Sequence, residues 1–344
     1  MNILYIAPYK QLDHYGQLFY NYLGGLNAIP NANIVARPIQ YNSLISYGVD
    51  DWCYNLEQNK CLKEYDYIIQ GTIPSDFVYT PNAIGITLIE PTTLKDRFWE
   101  RKLKFMPKVI VGTKQEFESI NDNKNIFKIS IGINKELKYK NYKIPDIKEI
   151  GNSYVFYWIG EYSETTCYKE VFRAFHLEFG RKENVHLAMY FLGHSNDKQE
   201  IEKIANDLRQ TKEKLGKYRN PDFYKEETVT IGCSLDTIRS YHVYCDCYLD
   251  INRGVNNWSL IKEAKLFGKQ IIKNNTFGRT PILEHPVYST RNYWRVIDIN
   301  EIRENMRFCY ENRGHSCYLN DCCEVNGENL GYEYCGQKLM EILK

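Results

Sequence analysis

Apolar positions along the chain alternate between short continuous runs and stripes at helical spacing. Asn2-Ile3-Leu4-Tyr5-Ile6-Ala7 is a run of the first kind, with the length of a buried strand. After a loop over residues 8–15, Leu18, Phe19, Tyr22 and Leu23 share one helical face, so residues 16–26 are predicted as a helix closed by Gly24-Gly25. Further strands are predicted at 33–36, 67–69, 84–89, 109–111 and 129–133, with a basic amphipathic helix over 94–105. Residues 135–152 are polar and basic, contain Pro145 and Gly151, and show no periodicity. They are predicted as a linker. A second series follows: strands at 154–159, 186–191, 229–231 and 246–251, helices at 171–179, 197–214 and 235–243. Leu260, Ile261, Ala264 and Leu266-Phe267 then form a last apolar stripe, stopped by Gly268 before Gln270-Ile271-Ile272 opens a strand. The tail is helical from Ile302, and a final helix is expected at 337–343, packing on another domain.

Strand runs alternating with helical stripes are the mark of parallel sheets covered by helices, the α/β class. Two such series joined by a linker predict two Rossmann-like domains facing one another across a cleft. Their expected bounds are 1–145 and 146–325, with 326–344 packing back on the first domain. In open α/β sheets phosphorylated ligands bind beyond the carboxyl ends of the strands, beside helix N-termini. The first strand–helix turn lacks GxGxxG, which argues against a dinucleotide.

Composition adds limits. The chain has 344 residues, 43% hydrophobic and 25% charged, with a mean hydropathy of −0.51. That is a folded protein too long for one comfortable core. No apolar run approaches the roughly 20 residues that span a bilayer. The N-terminus reads as a strand without a basic head or cleavage site, so a cytoplasmic location, in a bacterium or an infected host cell, is expected. Eleven cysteines without an export signal are expected as free thiols. Cys309, His315, Cys317, Cys322, Cys323 and Cys335 lack paired CxxC spacing, which favours thiols over zinc. Net charge is +1, yet residues 95–148 hold 14 Lys/Arg against 7 Asp/Glu, a local balance of 14 − 7 = +7. Such a stretch is either a solvated face or a surface for an acidic partner, nucleic acid or an anionic glycan.

The candidate chemistry sits in loops and at helix starts. Glu263 is the one acidic residue on an apolar stripe, where burial is costly without partners, so a functional carboxylate is expected. Glu90 lies between a predicted strand end and Pro91, and Asp13 and His14 lie in the first strand–helix loop, with His14 as a candidate base. Gly16 allows close approach to a phosphate, Lys169 opens a helix, and Trp258 suits either packing or a sugar contact.

These residues carry a resemblance. Tyr157-Trp158-Ile159-Gly160-Glu161, Arg173-Ala174-Phe175, Ile231-Gly232, Arg253-Gly254, Trp258-Ser259-Leu260, Glu263-Ala264 and Gly268-Lys269-Gln270-Ile271-Ile272 resemble the donor-binding domain of the family 4 retaining glycosyltransferases, which have the GT-B fold. The first half fits more loosely, through Ala7-Pro8 with Gly16, Ile89-Glu90-Pro91-Thr92 and Val109-Ile110-Val111-Gly112. The resemblance spans nearly the whole chain, but only 246–272 is specific. It implies that Glu263 holds the ribose hydroxyls of a nucleotide. The family's paired first glutamate would fall at Val255, so the amide of Asn256 or Asn257 is expected in its place. Glu161 and Thr166 stand where the family has its diphosphate-gripping Arg and Lys, leaving Lys169, Arg253 and helix N–H groups for that charge.

The resemblance implies a divergent member, viral or phage origin included. It would move a hexose from a UDP- or GDP-linked sugar, such as UDP-glucose, to an acceptor hydroxyl with retention, using no metal and no cofactor beyond the sugar nucleotide. Expected catalytic residues are Glu90, His14 and Asn256. Expected donor-binding residues are Gly16, Gly160, Lys169, Gly232, Arg253, Asn257, Trp258, Ser259, Leu260 and Glu263. The acceptor is a glycan or a hydroxymethylated DNA base, the latter reached by base flipping. The alternative is a catalytically degenerate GT-B protein acting as a binding or partner subunit.

Overall fold

A computed structural model of the chain describes residues 1–41, 50–120, 124–193, 197–216, 224–254, 258–274, 278–282, 288, 291–313 and 330–344. It falls into two compact units: unit 1 is Met1–Leu137, Gly278–Arg295 and Val325–Lys344, and unit 2 is Lys138–Phe277 and Val296–Glu324.

Unit 1 runs β1 (Asn2–Ala7), α1 (His14–Asn27), β2 (Asn33–Pro38), α2 (Asp51–Gln58), β3 (Tyr67–Gly71), β4 (Ala83–Ile86), α3 (Arg97–Phe105), β5 (Lys108–Val111), α4 (Lys114–Ser119) and β6 (Ile126–Lys128). Its sheet has the order β2-β1-β3-β4-β5-β6, parallel throughout. Helices on a parallel sheet bury both strand faces, which is why β4 is buried at every position. Trp99 and Leu103 of α3 pack with Ile89, Val109 and Val111.

Unit 2 begins with β7 (Tyr154–Glu161), α5 (Tyr168–Glu178), β8 (Val185–Leu192), α6 (Lys198–Leu215) and β9 (Glu227–Gly232). It continues with α7 (Leu235–Tyr244), β10 (Cys247–Asp250), α8 (Trp258–Leu266) and β11 (Gln270–Lys273). Its sheet, β11-β10-β7-β8-β9, is also parallel. Phe156, Trp158, Phe172, Phe175 and Phe191 fill the core between this sheet and α5. The chain then returns to unit 1 as the antiparallel pair β12 (Arg279–Pro281) and β13 (Tyr293–Arg295). It re-enters unit 2 as α9 (Ile299–Glu311) and ends in unit 1 as α10 (Tyr332–Leu343). In each sheet the strand order reverses beside the first strand, between β1 and β3 and between β7 and β10. A crevice at the carboxyl ends of those strands is where this class of sheet takes ligands.

Several expectations need correcting. Gly24-Gly25 does not end α1, which continues to Asn27. A Cβ on Gly24 would lie 2.3 Å from the Tyr332 ring, and one on Gly25 2.6 Å from Cys335 Sγ, so both glycines admit α10. The sixth strand is Ile126–Lys128, not 129–133. The apolar run 129–133 is apolar for packing: Tyr22 Oη donates to the Ile129 carbonyl at 2.6 Å, and a Cβ on Gly132 would sit 2.7 Å from the Gly331 carbonyl oxygen. The fourth strand stops at Ile86, and α3 starts at Arg97 because Asp96 caps Phe98 and Trp99 N–H at 2.9 and 3.1 Å. The last helix opens at Tyr332 rather than 337. Residues 278–295, assigned by the sequence pattern to the second half, pack with unit 1.

Among the described residues, eight cysteines are free and no three metal-ligating side chains cluster; His315, Cys317, Cys322 and Cys323 lie outside them. No described helix is long and apolar enough to cross a membrane.

Candidate functional site

In unit 2 the candidate residues gather around the carboxyl ends of β7 and β10. The single Thr166 hydroxyl proton is shared between the Glu161 and Ser163 carbonyl oxygens, each 2.8 Å from Oγ1, and Trp158 Nε1 donates to the Thr166 carbonyl at 3.1 Å. Cys167 sits in the left-handed region at φ 54° and leads into α5. The loop is tied to the β10 side by Arg253, whose N–H donates to the Thr165 carbonyl at 2.9 Å and whose Nη2 donates to Glu170 Oε1 at 2.8 Å. Gly160, next to last in β7, is required by the chain itself, since a Cβ there would lie 2.5 Å from the Trp158 ring. Gly232 likewise clears the Tyr190 hydroxyl, 2.5 Å from an added Cβ.

Both cations expected to meet a diphosphate are ion-paired within the unit. Arg253 holds Glu170, and Lys169 Nζ lies 3.1 Å from Asp207 Oδ2. Asp207 also accepts from the hydroxyls of Tyr162 and Tyr168, each at 2.7 Å. Burial alone would raise the Asp207 carboxyl, but these two phenols and the Lys169 ammonium together hold it below its ordinary value.

Glu263 is buried on α8, 7% exposed, with Oε2 3.8 Å from the Nε of Arg239. Arg239 lies on α7 and is itself 2% exposed. An ionised carboxylate accepts hydrogen bonds only, the chemistry needed to hold paired hydroxyls. Ser259 and Leu260 are buried on the same helix, which Trp258 opens. Asn256 and Asn257 lie outside the described residues.

Unit 1 carries a second cluster. His14 Nε2 and Glu90 Oε1 lie 3.0 Å apart although 76 residues separate them. Tyr15 Oη donates to Glu90 Oε2 at 3.5 Å and lies 3.1 Å from Tyr288 Oη, which accepts the Glu90 N–H at 3.4 Å. Burial first, then the Glu90 charge, raises both phenols well above their ordinary range, so they stay protonated. Asp13 caps α1 by accepting the Gly16 N–H at 2.7 Å, so that amide is engaged within the chain. Gly16 answers a close approach of the loop: an added Cβ would meet the Gln11 carbonyl oxygen at 2.0 Å. Beneath Glu90, Glu116 Oε1 accepts the Ile89 N–H at 3.1 Å, and burial pushes its carboxyl up to about 7.

No family model matches the sequence, and no curated protein matches it. Solved structures do resemble the chain. HepE of Anabaena in complex with UDP-glucose covers 100% of this chain and 99% of its own, at 14% identity and a TM-score of 0.58. A glycosyltransferase from Rickettsia africae covers 100% and 97%, at 12% identity and 0.59. An alpha-glucosyltransferase in complex with UDP covers 99% and 94%, at 10% identity and 0.54. The fold is GT-B. At such identities the likeness establishes the architecture alone, so each residue's role rests on the geometry above.

Several site residues carry little sequence signal. Arg239 has one, an arginine set among the apolar Leu235, Ile238 and Tyr241 of its helix. Tyr15, Glu116 and Asp207 stand among ordinary helix residues, and Tyr288 reaches Glu90 over a separation of 198 residues.

Proposed function

We propose that the protein is a glycosyltransferase that moves a hexose from UDP, in the manner of a retaining enzyme and without a metal, to an acceptor hydroxyl. The observation that carries the proposal is Glu263, a buried carboxylate on the helix that follows β10, beside the strand-order reversal of unit 2. In this proposal Glu263 accepts the ribose hydroxyls and Arg239 fixes its position. Ser259 and the start of α8 line the donor; the expected sugar contacts of Asn256, Asn257 and the Trp258 side chain lie outside what the structure describes. Gly160 and Gly232 keep the strand ends open to it, while Arg253 and Lys169 border the diphosphate with helix N–H groups. His14 and Glu90 serve the acceptor hydroxyl, with Gly16 beside them. The GT-B fold and solved relatives bound to UDP and UDP-glucose support the proposal.

UDP binding tests it. A ligand held by the native state at a hundred times its Kd raises stability by about 2.7 kcal/mol, a readily measured shift in unfolding midpoint. Glu263→Ala is expected to abolish that shift, and a shift of unchanged size would move the nucleotide elsewhere. An active enzyme also releases UDP slowly from one sugar nucleotide. The acceptor is a glycan or a hydroxymethylated DNA base. Nucleic acid would bind with a steep salt dependence, and a neutral glycan would not.

One observation favours a second reading, a catalytically degenerate protein that binds without turnover. Both candidate cations are committed to carboxylates, Lys169 to Asp207 and Arg253 to Glu170. UDP binding without release of UDP from any sugar nucleotide would select it.

A further inference from the structure

The outward face of α3 lies outside the clusters around Glu263 and Glu90, and its side chains are of an unusual mixture. Trp99 and Leu103 anchor the helix in the core of unit 1, while Arg97, Phe98, Arg101, Lys104 and Phe105 face solvent. Phe98 and Phe105 stand about two helical turns apart on that face, with the cations between them. Phe98 is 53% and Phe105 65% exposed, and the adjoining segment adds Val78 at 64% and Tyr79 at 60%. Lys102 Nζ ties the two segments by donating to the Phe77 carbonyl at 3.0 Å. Between them runs a groove of about 400 Å³ floored by Phe77 and Met106 and bordered by Arg101 and Lys102. Among the described residues no carboxylate pairs with Arg97, Arg101 or Lys104. Of the nearby acids, Asp96 caps α3 and Asp76 accepts from Tyr41 Oη at 3.2 Å, while Glu100 on the same helix is half-buried.

We propose that this face of α3, with Val78 and Tyr79, docks the protein on an anionic lipid surface. Exposed phenylalanines insert into the headgroup–acyl boundary, and interleaved Arg and Lys meet the lipid phosphates while their stems stay in apolar surroundings. The anchors favour a bilayer over a nucleic acid. Val78 has no face for a base to stack on, and the groove floor, Phe77 and Met106, is apolar. The docking is independent of the sugar-transfer proposal, since none of these residues belongs to the clusters around Glu263 or Glu90.

The test is sedimentation of the full chain with vesicles of equimolar phosphatidylglycerol and phosphatidylcholine, against vesicles of phosphatidylcholine alone. Binding to the anionic vesicles is expected to be tighter by about tenfold or more and to weaken as salt rises. Arg101→Glu with Lys104→Glu is expected to lower it about tenfold or more, and so is Phe98→Ser with Phe105→Ser at the same salt. These side chains are exposed, so both double variants are expected to keep the wild-type unfolding midpoint and circular dichroism, which separates lost docking from lost folding. Equal sedimentation with both vesicle types, or either double variant binding like the wild type, would overturn the proposal. Retention of a single-stranded oligonucleotide by the wild type and not by the variants, without vesicle binding, would overturn it in favour of nucleic acid.

Discussion

At the scale of single residues, two carboxylates in unit 1 have different work. Glu90 is met by an imidazole and a phenol, an arrangement suited to passing or holding a proton at a substrate hydroxyl. If sugar transfer is the activity, Glu90→Gln is expected to lower its rate about a hundredfold or more while leaving the UDP-induced stability shift intact. An unchanged rate would confine the pair to structure. Glu116 instead holds the backbone of the neighbouring Ile89, and its carboxyl is raised to about 7 from the ordinary 4.5. The raised value gives the sign: between about pH 4.5 and 7 the unfolded chain has released this proton and the folded chain has kept it. Stability therefore falls as pH rises through that window and levels off above it. Linkage puts the loss at about 3 kcal/mol by pH 8. Glu116→Gln is expected to remove that share of the difference in unfolding free energy between pH 5 and pH 8. Denaturant titrations of both proteins at the two pH values measure it, and equal differences would exclude Glu116 as the titrating group.

At the scale of elements, the crossing of α1 and α10 depends on three glycines inside helices. Helix propensity favours alanine over glycine by about 1 kcal/mol, so retaining glycine there needs a steric reason. At Gly336 the reason is backbone: an added Cβ would lie 2.5 Å from the Gly25 carbonyl oxygen, which cannot swing away as a side chain does. The helices must separate, and overpacking of this kind costs about 1–3 kcal/mol. Gly336→Ala is expected to destabilise the protein by about that amount in denaturant unfolding, propensity notwithstanding. The exposed Glu341→Ala on the same helix is expected to be near neutral, within about 0.5 kcal/mol. A stabilised Gly336→Ala would mean that the helices lie farther apart.

At the scale of the molecule, what was legible in the sequence follows from how far contacts reach along the chain. The two βα series could be read because a parallel strand buried on both faces is a near-continuous apolar run, as β4 is and as β8 is apart from His186. His14, Glu90 and Glu263 could be picked out singly, because a polar group at a strand end or on an apolar stripe is conspicuous by itself. Their partners could not, because Glu90–Tyr288, Glu263–Arg239 and Lys169–Asp207 are made by tertiary packing that leaves no periodicity. The same blindness hid the return of 278–295 to unit 1 and assigned Gly24-Gly25 to a helix end instead of a helix crossing. That crossing makes the C-terminal segment part of the first unit's core: Cys335 and Leu339 are fully buried and Leu343 is 3% exposed. Burying three such side chains contributes about 5 kcal/mol, a large part of the roughly 5–15 kcal/mol that holds a domain together. A chain ending at residue 330 would leave the Gly24-Gly25 face of α1 open to water with nothing to cover it. It is expected to accumulate as insoluble protein, or to unfold at a midpoint well below that of the full chain. A soluble truncated chain with the full-length midpoint would show that unit 1 is complete without α10.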